Sequence, residues 1–98
     1  MSKYILSTEA QNSLKDIKLY SVKNFGKERA RQYLIDIRMR MITLAVNPFR
    51  GIVREDLKIG YHSEFIGSHT IYYRIQSTHI DIIDVLHQSM DPSKHIAD

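Results

Sequence analysis

The 98-residue sequence contains no cysteine. This absence excludes a disulfide scaffold, a thiolate zinc site and a cysteine nucleophile, and it gives no indication of an oxidising compartment. No segment approaches the roughly 18 apolar residues that a membrane span needs, and the start of the chain lacks the apolar core of a signal peptide. We therefore expect a cytoplasmic protein without a membrane segment.

Glycine is also scarce, with four residues at scattered positions that are typical of turns. The sequence has no glycine-rich phosphate loop, no dinucleotide-binding fingerprint and no G-x-S-x-G nucleophile motif. The five histidines are His62, His69, His79, His87 and His95. They form no H-x-x-x-H pair and have no clustered carboxylate beside them, so we expect neither a metal nor a cofactor.

The net charge of +3 is distributed unevenly along the chain. Residues 1–54 carry eleven Lys or Arg and four Asp or Glu, a balance of +7, whereas residues 55–98 carry three and seven, a balance of −4. The basic half favours an acidic partner, either nucleic acid or an acidic polypeptide. A solvated helix face rich in Lys and Arg is the alternative. The length and the hydrophobic share of 43% indicate one globular domain, residues 1–98.

The first half of the chain predicts a strand and two helices. Residues 3–7 are short, apolar and β-prone, which suits a first strand. Thr8 opens a capping-box pattern for a helix that Gly26 ends. A second helical pattern begins near Lys27 and ends near Asn47, because the proline that follows disfavours helical backbone in the residue before it. The short connection makes the two helices an antiparallel hairpin.

The second helix carries its apolar residues in two stripes. The broad stripe comprises Ala30, Tyr33, Leu34, Ile37, Met41, Leu44 and Ala45. The second stripe comprises Ile35, Met39, Ile42 and Val46, with Arg31 and Arg38 between the two stripes. The pattern favours a helix packed on two sides, with one stripe against the first helix and the other against a sheet. The alternative is an exposed second stripe that binds a partner.

From residue 61 onward the apolar period changes from that of a helix to that of a strand. The predicted strands are residues 61–66, 69–75 and 79–87, with turns at 67–68 and near 77–78. After the last strand we expect a loop and a short helical turn, with Asp91 as its N-cap and Pro92 at its first position.

A last hairpin that is symmetric about Ser77 and Thr78 sorts the strand side chains into two faces. The expected register pairs are Arg74–Asp81, Tyr72–Ile83 and Thr70–Val85. The face expected to lie on the helices holds Ile71, Tyr73, Ile75, Ile80, Ile82, Leu86 and the polar Asp84. The other face holds Thr70, Tyr72, Arg74, Asp81, Ile83, Val85 and His87. Arg74 and His87 on this face would suit a metal-free ribonuclease, but we favour a cross-strand Arg74–Asp81 pair.

Four segments, in their order along the chain, resemble the ParE branch of the RelE/ParE toxin superfamily. They are Leu44-Ala45-Val46-Asn47-Pro48-Phe49-Arg50-Gly51, Gly60-Tyr61-His62-Ser63-Glu64-Phe65, Gly67-Ser68-His69-Thr70-Ile71-Tyr72-Tyr73-Arg74-Ile75 and Val85-Leu86-His87-Gln88-Ser89-Met90-Asp91. The most specific parts are Gly-Ser-His before an Ile-Tyr-Tyr-Arg strand and Leu-His-x-x-Met-Asp in the tail. The resemblance spans essentially the whole chain, although His62 and Ser89 stand where the family more often has arginine.

The resemblance implies an α+β fold: an N-terminal strand, an antiparallel two-helix hairpin packed on a small antiparallel sheet, and a short C-terminal helical turn. It implies a type II toxin that poisons DNA gyrase. It also implies a ParD-like antitoxin, whose disordered acidic tail folds across the toxin in a hetero-oligomeric complex. Such a toxin supplies a binding surface and catalyses no reaction, and it meets DNA only indirectly through the antitoxin. We therefore expect no enzyme and no cofactor.

Two sets of candidate site residues follow. The expected antitoxin-binding residues are Arg31, Ile35, Arg38, Met39, Ile42, Tyr72, Ile83 and Val85. The candidates for gyrase contact and toxicity are Arg74, His87, Met90, Asp91 and His95. The first set joins basic and apolar groups, because charge steers an acidic tail and apolar burial supplies most of its affinity.

Two other functions stay open on the sequence. The RelE branch cuts ribosome-bound mRNA with a cluster of basic residues and usually a C-terminal tyrosine. Here no tyrosine follows Tyr73, and the last strand and tail hold only His87, Lys94 and His95 as basic groups. A RelE-like mRNA interferase is therefore the alternative function. An oligomerising adaptor whose basic helices bind nucleic acid is the third.

Overall fold

Helices and strands account for most of residues 3–96, the part of the chain that this computed structural model describes. The strands are β1 (Tyr4–Leu6), β2 (Ile52–Val53), β3 (Tyr61–Ile66), β4 (His69–Ile75) and β5 (Ile80–His87). The helices are α1 (Thr8–Phe25), α2 (Lys27–Val46) and the short α3 (Pro92–His95), with a 3₁₀ turn at Pro48–Arg50. This order confirms the predicted α+β fold. No helix within residues 3–96 is both long and apolar enough to cross a membrane.

The strands of residues 3–96 form one sheet in the order β1-β5-β4-β3-β2. The pairs β2–β3, β3–β4 and β4–β5 are antiparallel, whereas β1 pairs parallel to β5. The sheet that was predicted to be antiparallel is therefore mixed. Strand β2 was not predicted, because two residues are too few to show an alternating pattern.

Local chemistry sets the ends of the two long helices. Ser7, rather than Thr8, caps α1: its hydroxyl oxygen accepts a hydrogen bond from the backbone N–H of Ala10 at 2.9 Å. Gly26 ends α1 at a φ of +89°, which lies in the region that favours glycine, and α2 begins at the next residue. Helix α2 ends two residues before the proline, as predicted.

The main core lies between the helical hairpin and one face of the sheet. It contains Ala10, Ile17, Ile37, Met41, Leu44, Ala45, Ile66, Ile71, Tyr73, Ile80, Ile82 and Val85. A smaller cluster on the opposite face contains Tyr61, Tyr72, Leu86 and Ile96, with Leu57 and Ile83 packed against it. The C-terminal tail thus covers part of the second face through Ile96.

The second stripe of α2 is exposed. Ile35 and Ile42 are each 38% exposed, Met39 is 55% exposed and Val46 is 64% exposed. The favoured prediction of a helix packed on two sides is wrong. The reason is that α1 and the sheet both pack against the broad stripe, and no further layer of residues 3–96 covers the outer face of the hairpin.

A β-bulge in β5 makes the predicted faces of the later residues of that strand wrong. The observed register pairs are Arg74–Asp81, Tyr72–Asp84 and Thr70–Leu86. The first pair agrees with the prediction and the other two do not, because Ile83 is an extra residue without a register partner. Beyond the bulge, Val85 packs in the main core and Leu86 in the opposite cluster, the reverse of the prediction. Asp84 faces the helices as predicted and accepts a hydrogen bond from the Ser13 hydroxyl at 2.6 Å.

Candidate functional site

A groove of about 550 Å³ runs between α1 and α2, and all of its lining residues belong to these two helices. They are Lys18, Val22, Lys27, Ala30, Arg31, Leu34, Ile35 and Arg38, and we call this surface the basic groove. One cation from α1 and three from α2 surround an apolar floor, and no lining residue is acidic. Such a surface is complementary to an acidic amphipathic segment.

The basic groove gathers part of the predicted antitoxin-binding set. Met39 and Ile42 of that set lie further along the exposed second stripe of the same helix. Lys18 and Lys27 also line the groove and were not predicted. Which lysines face α2 depends on how the two helices pack. The predicted residues that line the groove are Arg31, Ile35 and Arg38.

The strand residues of the antitoxin-binding set do not share an exposed face. Val85 is 2% exposed in the main core, so its predicted position beside Tyr72 is wrong. Tyr72 is 5% exposed on the opposite face, with Ile83 packed against the same cluster. The guanidinium of Arg54 lies 5.5 Å from the centre of the Tyr72 ring. Its two 3.0 Å hydrogen bonds to Asp56 raise the pKa of Arg54 and lower the pKa of Asp56.

The structure separates Arg74 from His87. Arg74 is exposed on the sheet face away from the hairpin, whereas His87 lies opposite His69 on the helix-facing side. The phosphate-holding pair that a ribonuclease would need is therefore not formed. Asp81 is the register partner of Arg74, as predicted, but its carboxylate pairs with His79 at 2.9 Å.

The other candidates for gyrase contact lie in the exposed tail after β5. Met90 is 44% exposed. Asp91 is the predicted N-cap of α3: it accepts hydrogen bonds from the hydroxyl of Ser93 at 2.8 Å and from its backbone N–H at 3.0 Å. These bonds lower the pKa of Asp91. His95 is the last residue of α3 and is exposed.

The sequence did not predict a second hollow, of about 740 Å³, between the helical hairpin and the β4 and β5 strands. We call it the cleft, and its lining is mostly apolar. Its aromatic, imidazole and thioether side chains are Tyr20, Phe25, Tyr33, His69, His87 and Met90. They come from four different parts of the chain, and the two histidines become neighbours only in the register that the bulge creates.

Tyr33, His69 and His87 form a polar cluster in the cleft. The Tyr33 hydroxyl lies 2.6 Å from Nδ1 of His69, and the rings of His69 and His87 meet edge to face with centroids 5.3 Å apart. Burial and, to a smaller extent, the charge of His87 lower the pKa of His69, while burial raises the pKa of Tyr33. Within residues 3–96, no three histidine, aspartate or glutamate side chains are grouped as a metal site requires.

His62 and Ser89, the two positions where the resemblance led us to expect arginine, have partners within the domain. His62 is 8% exposed and stacks on the ring of Tyr73 at 5.5 Å. The hydroxyl of Ser89 lies 2.8 Å from Nδ1 of His87. Both side chains therefore contribute to local structure rather than to an exposed basic surface.

Comparisons with known proteins agree with this fold. Residues 4–92 match the family model described as "ParE toxin of type II toxin-antitoxin system, parDE". The chain is 36% identical over 96 residues to Toxin ParE1 of Caulobacter vibrioides, and the match covers 98% of this chain and 99% of that protein. It is 34% identical over 96 residues to Toxin ParE1 of Mycobacterium tuberculosis, and the match covers 97% of this chain and 98% of that protein.

A solved structure described as "Chromosomal ParDE TA system from P. aeruginosa" has the same fold. Its TM-score is 0.76 over 89% of this chain and 96% of that chain, at 19% sequence identity. The family match and both relatives extend over nearly the whole chain. The chain belongs to the ParE toxin family of type II toxin–antitoxin systems.

Proposed function

We propose that this chain is neutralised by a ParD-like antitoxin and, when free, inhibits DNA gyrase. The observation that carries the first part is the basic groove together with the exposed second stripe of α2. The groove offers four cations without an acidic neighbour among its lining residues, and the stripe adds apolar surface beside it. A toxin that leaves such a surface open needs a partner to cover it.

The proposed occupant of the basic groove is the acidic, amphipathic tail of the antitoxin, which becomes ordered on binding. Arg31 and Arg38 would steer the acidic tail, while Ile35, Met39 and Ile42 would supply apolar burial. Apolar burial has to dominate, because the tail must offset the cost of its own ordering. The other predicted residues are buried or half-buried: Tyr72, Ile83 and Val85. In this proposal they do not contact the tail and contribute only by stabilising the domain.

The proposed action on gyrase follows from family membership and uses surface contacts without bond chemistry. The tail residues Met90, Asp91 and His95, with His87 at the end of β5, present one continuous stretch of sequence to a target. Arg74 lies on the other face of the sheet and would contact gyrase separately. In this proposal the toxin is not an enzyme, acts in the cytoplasm and reaches DNA only through its partners.

Induced expression of the toxin without its antitoxin tests the gyrase proposal. We expect growth to stop with filamentation and a DNA-damage response, while bulk protein synthesis continues at first. Purified toxin should make cleaved DNA accumulate on gyrase, and adding the antitoxin should reverse this effect. Rapid collapse of translation with mRNA cleaved at the ribosome would instead establish the RelE-like alternative.

The basic groove needs its own control in that experiment. A toxin with Arg31→Glu and Arg38→Glu should still stop growth, because the groove is proposed to bind the antitoxin and not gyrase. Co-expressed antitoxin should protect these cells less than cells with the unaltered toxin. Equal protection of both would place the antitoxin elsewhere on the domain.

A further inference from the structure

Tyr33, His69 and His87 connect α2, the start of β4 and the end of β5 to the turn that begins the C-terminal tail. We propose that this cluster is an acid-sensitive latch. It fixes the backbone of Ser89 in the tail turn, residues 88–90, while both imidazoles are neutral, and it loosens Ser89 when they become protonated. The latch is a property of the free domain and goes beyond the proposed action on gyrase.

His87 holds the tail turn through its Nδ1 atom. The backbone N–H of Ser89 donates to this atom at 3.1 Å, and the Ser89 hydroxyl lies 2.8 Å from it. A backbone N–H can only donate, so Nδ1 must be an unprotonated acceptor and the ring proton must sit on Nε2. Protonation of His87 turns Nδ1 into a donor, which the Ser89 hydroxyl oxygen can accept but the Ser89 backbone N–H cannot. The bond to the Ser89 backbone is then lost.

His69 connects the latch to the β3–β4 turn. The Tyr33 hydroxyl, 2.6 Å from Nδ1 of His69, also accepts a hydrogen bond from the backbone N–H of Ser68 at 3.2 Å. The tail turn is bonded to the same segment: the backbone N–H of Gln88 donates to the Ser68 carbonyl at 2.9 Å, and its side-chain amide donates to the Gly67 carbonyl at 3.0 Å. A shift of the His69 ring is therefore transmitted to both turns.

Positive charge opens the latch because the two imidazole rings are only 5.3 Å apart, with His69 half-buried and His87 exposed. The other charged or titratable groups that line the cleft are Asp16 from α1 and Arg29, Tyr33 and Asp36 from α2. Arg29 adds to the repulsion. Asp16 and Asp36 oppose it, but within residues 3–96 the histidine that pairs with a carboxylate inside 4.0 Å is His79. Burial and the charge of His87 both lower the pKa of His69, in the direction that this geometry requires.

The released segment is short, because Ile96 stays buried in the cluster on the opposite face of the sheet. Acidification therefore loosens the tail turn while the far end of the tail remains attached. If gyrase is the target, as proposed above, the loosened turn changes how Met90 and Asp91 are presented to it.

NMR spectroscopy of the full chain, titrated from about pH 7.5 to about pH 5 across the usual histidine range, tests the latch. We expect the backbone amide signals of Gln88 and Ser89 to shift together with the ring protons of His87. His87→Asn should abolish that transition, because the asparagine carbonyl oxygen can accept the N–H two residues on but does not titrate. His79→Gln removes a histidine outside the latch and should leave the transition unchanged.

His69→Gln gives a second test that leaves the bond between His87 and Ser89 in place. It removes the neighbouring positive charge, so the Ser89 transition should move to higher pH. The latch is overturned if the Ser89 amide does not titrate in the unaltered protein, if it titrates equally in His87→Asn, or if His69→Gln leaves its midpoint unchanged. These readouts need neither gyrase nor antitoxin, so failure here is separate from failure of the proposed function.

Discussion

The hydroxyl group of Tyr73 ties the irregular segment after α2 to the middle of the sheet. Tyr73 is fully buried in β4, with an exposed fraction of 0%. Its hydroxyl donates a hydrogen bond to the Pro48 carbonyl at 2.7 Å and accepts one from the Gly51 N–H at 3.0 Å. The substitution Tyr73→Phe keeps the ring and its packing but leaves two backbone groups without their partner.

The size of the loss follows from the number and burial of these groups. A buried polar group without a partner costs about 1–3 kcal/mol, so two cost roughly 2–6 kcal/mol. Pro48 and Gly51 are half-buried, so water can replace part of the lost bonding, and we expect a loss of about 2–3 kcal/mol. In a domain of this size each 1 kcal/mol lowers the Tm by roughly 4–8 °C, which gives a decrease of roughly 8–24 °C.

Urea unfolding followed by circular dichroism measures the change in the free energy of unfolding, and a thermal melt measures the Tm. Tyr20→Phe is the matched control, because Tyr20 is 63% exposed on α1. It should stay within about 0.5 kcal/mol of the unaltered protein. If Tyr73→Phe costs no more than this control, the two hydrogen bonds do not hold the segment.

Four further perturbations have defined outcomes. Gly51→Ala should lower the free energy of unfolding by about 1–3 kcal/mol in urea, because the new Cβ would collide with the buried tyrosine hydroxyl of β4 and lie 2.8 Å from a β3 carbonyl oxygen; an unchanged midpoint would contradict the close approach. Arg31→Glu combined with Arg38→Glu should slow association with the antitoxin tail and flatten its salt dependence in stopped-flow measurements, and rates that keep the original salt dependence would argue against steering. Met39→Ala should mainly speed dissociation and leave the Tm of the free toxin nearly unchanged, whereas a large fall in Tm would mean that this side chain is part of the core. Below about pH 6.5 the domain should lose stability as the pH falls, because the folded state lowers the pKa of His69 and the unfolded chain then binds more protons; His69→Gln should reduce that loss in urea titrations at several pH values.

The sequence predicts several element boundaries at which a single residue acts on its own backbone, although it placed the cap of α1 at Thr8 instead of Ser7. Gly26 adopts a positive φ and ends α1, and Gly67 does the same in the β3–β4 turn. Asp91 caps α3 with its side chain. These effects need no distant partner, so they are readable from a few neighbouring residues.

Features that depend on packing between distant elements were not predictable in the same way. The sequence of β5 alone does not show the bulge at Ile83, which is defined by the register with β4. Val85 and Leu86 were therefore assigned to the wrong faces of the sheet. The exposure of the second stripe depends on the number of layers in the fold. For the candidate site, charge and periodicity indicated Arg31 and Arg38, but the cleft required four parts of the chain to be placed together.

The parallel pairing of β1 with β5 bears on how the toxin is made. Ser7 donates a hydrogen bond to the carbonyl of Ile83 at 2.6 Å, across 76 positions of the chain. The ribosome synthesises the chain from its N-terminus, so β1 has no partner strand until residues 80–87 have been made. The contacts between α1 and α2 that line the basic groove are close in sequence, so they do not depend on that late segment. If the antitoxin binds this groove as we propose, its site would therefore be complete in the nascent chain before the sheet is.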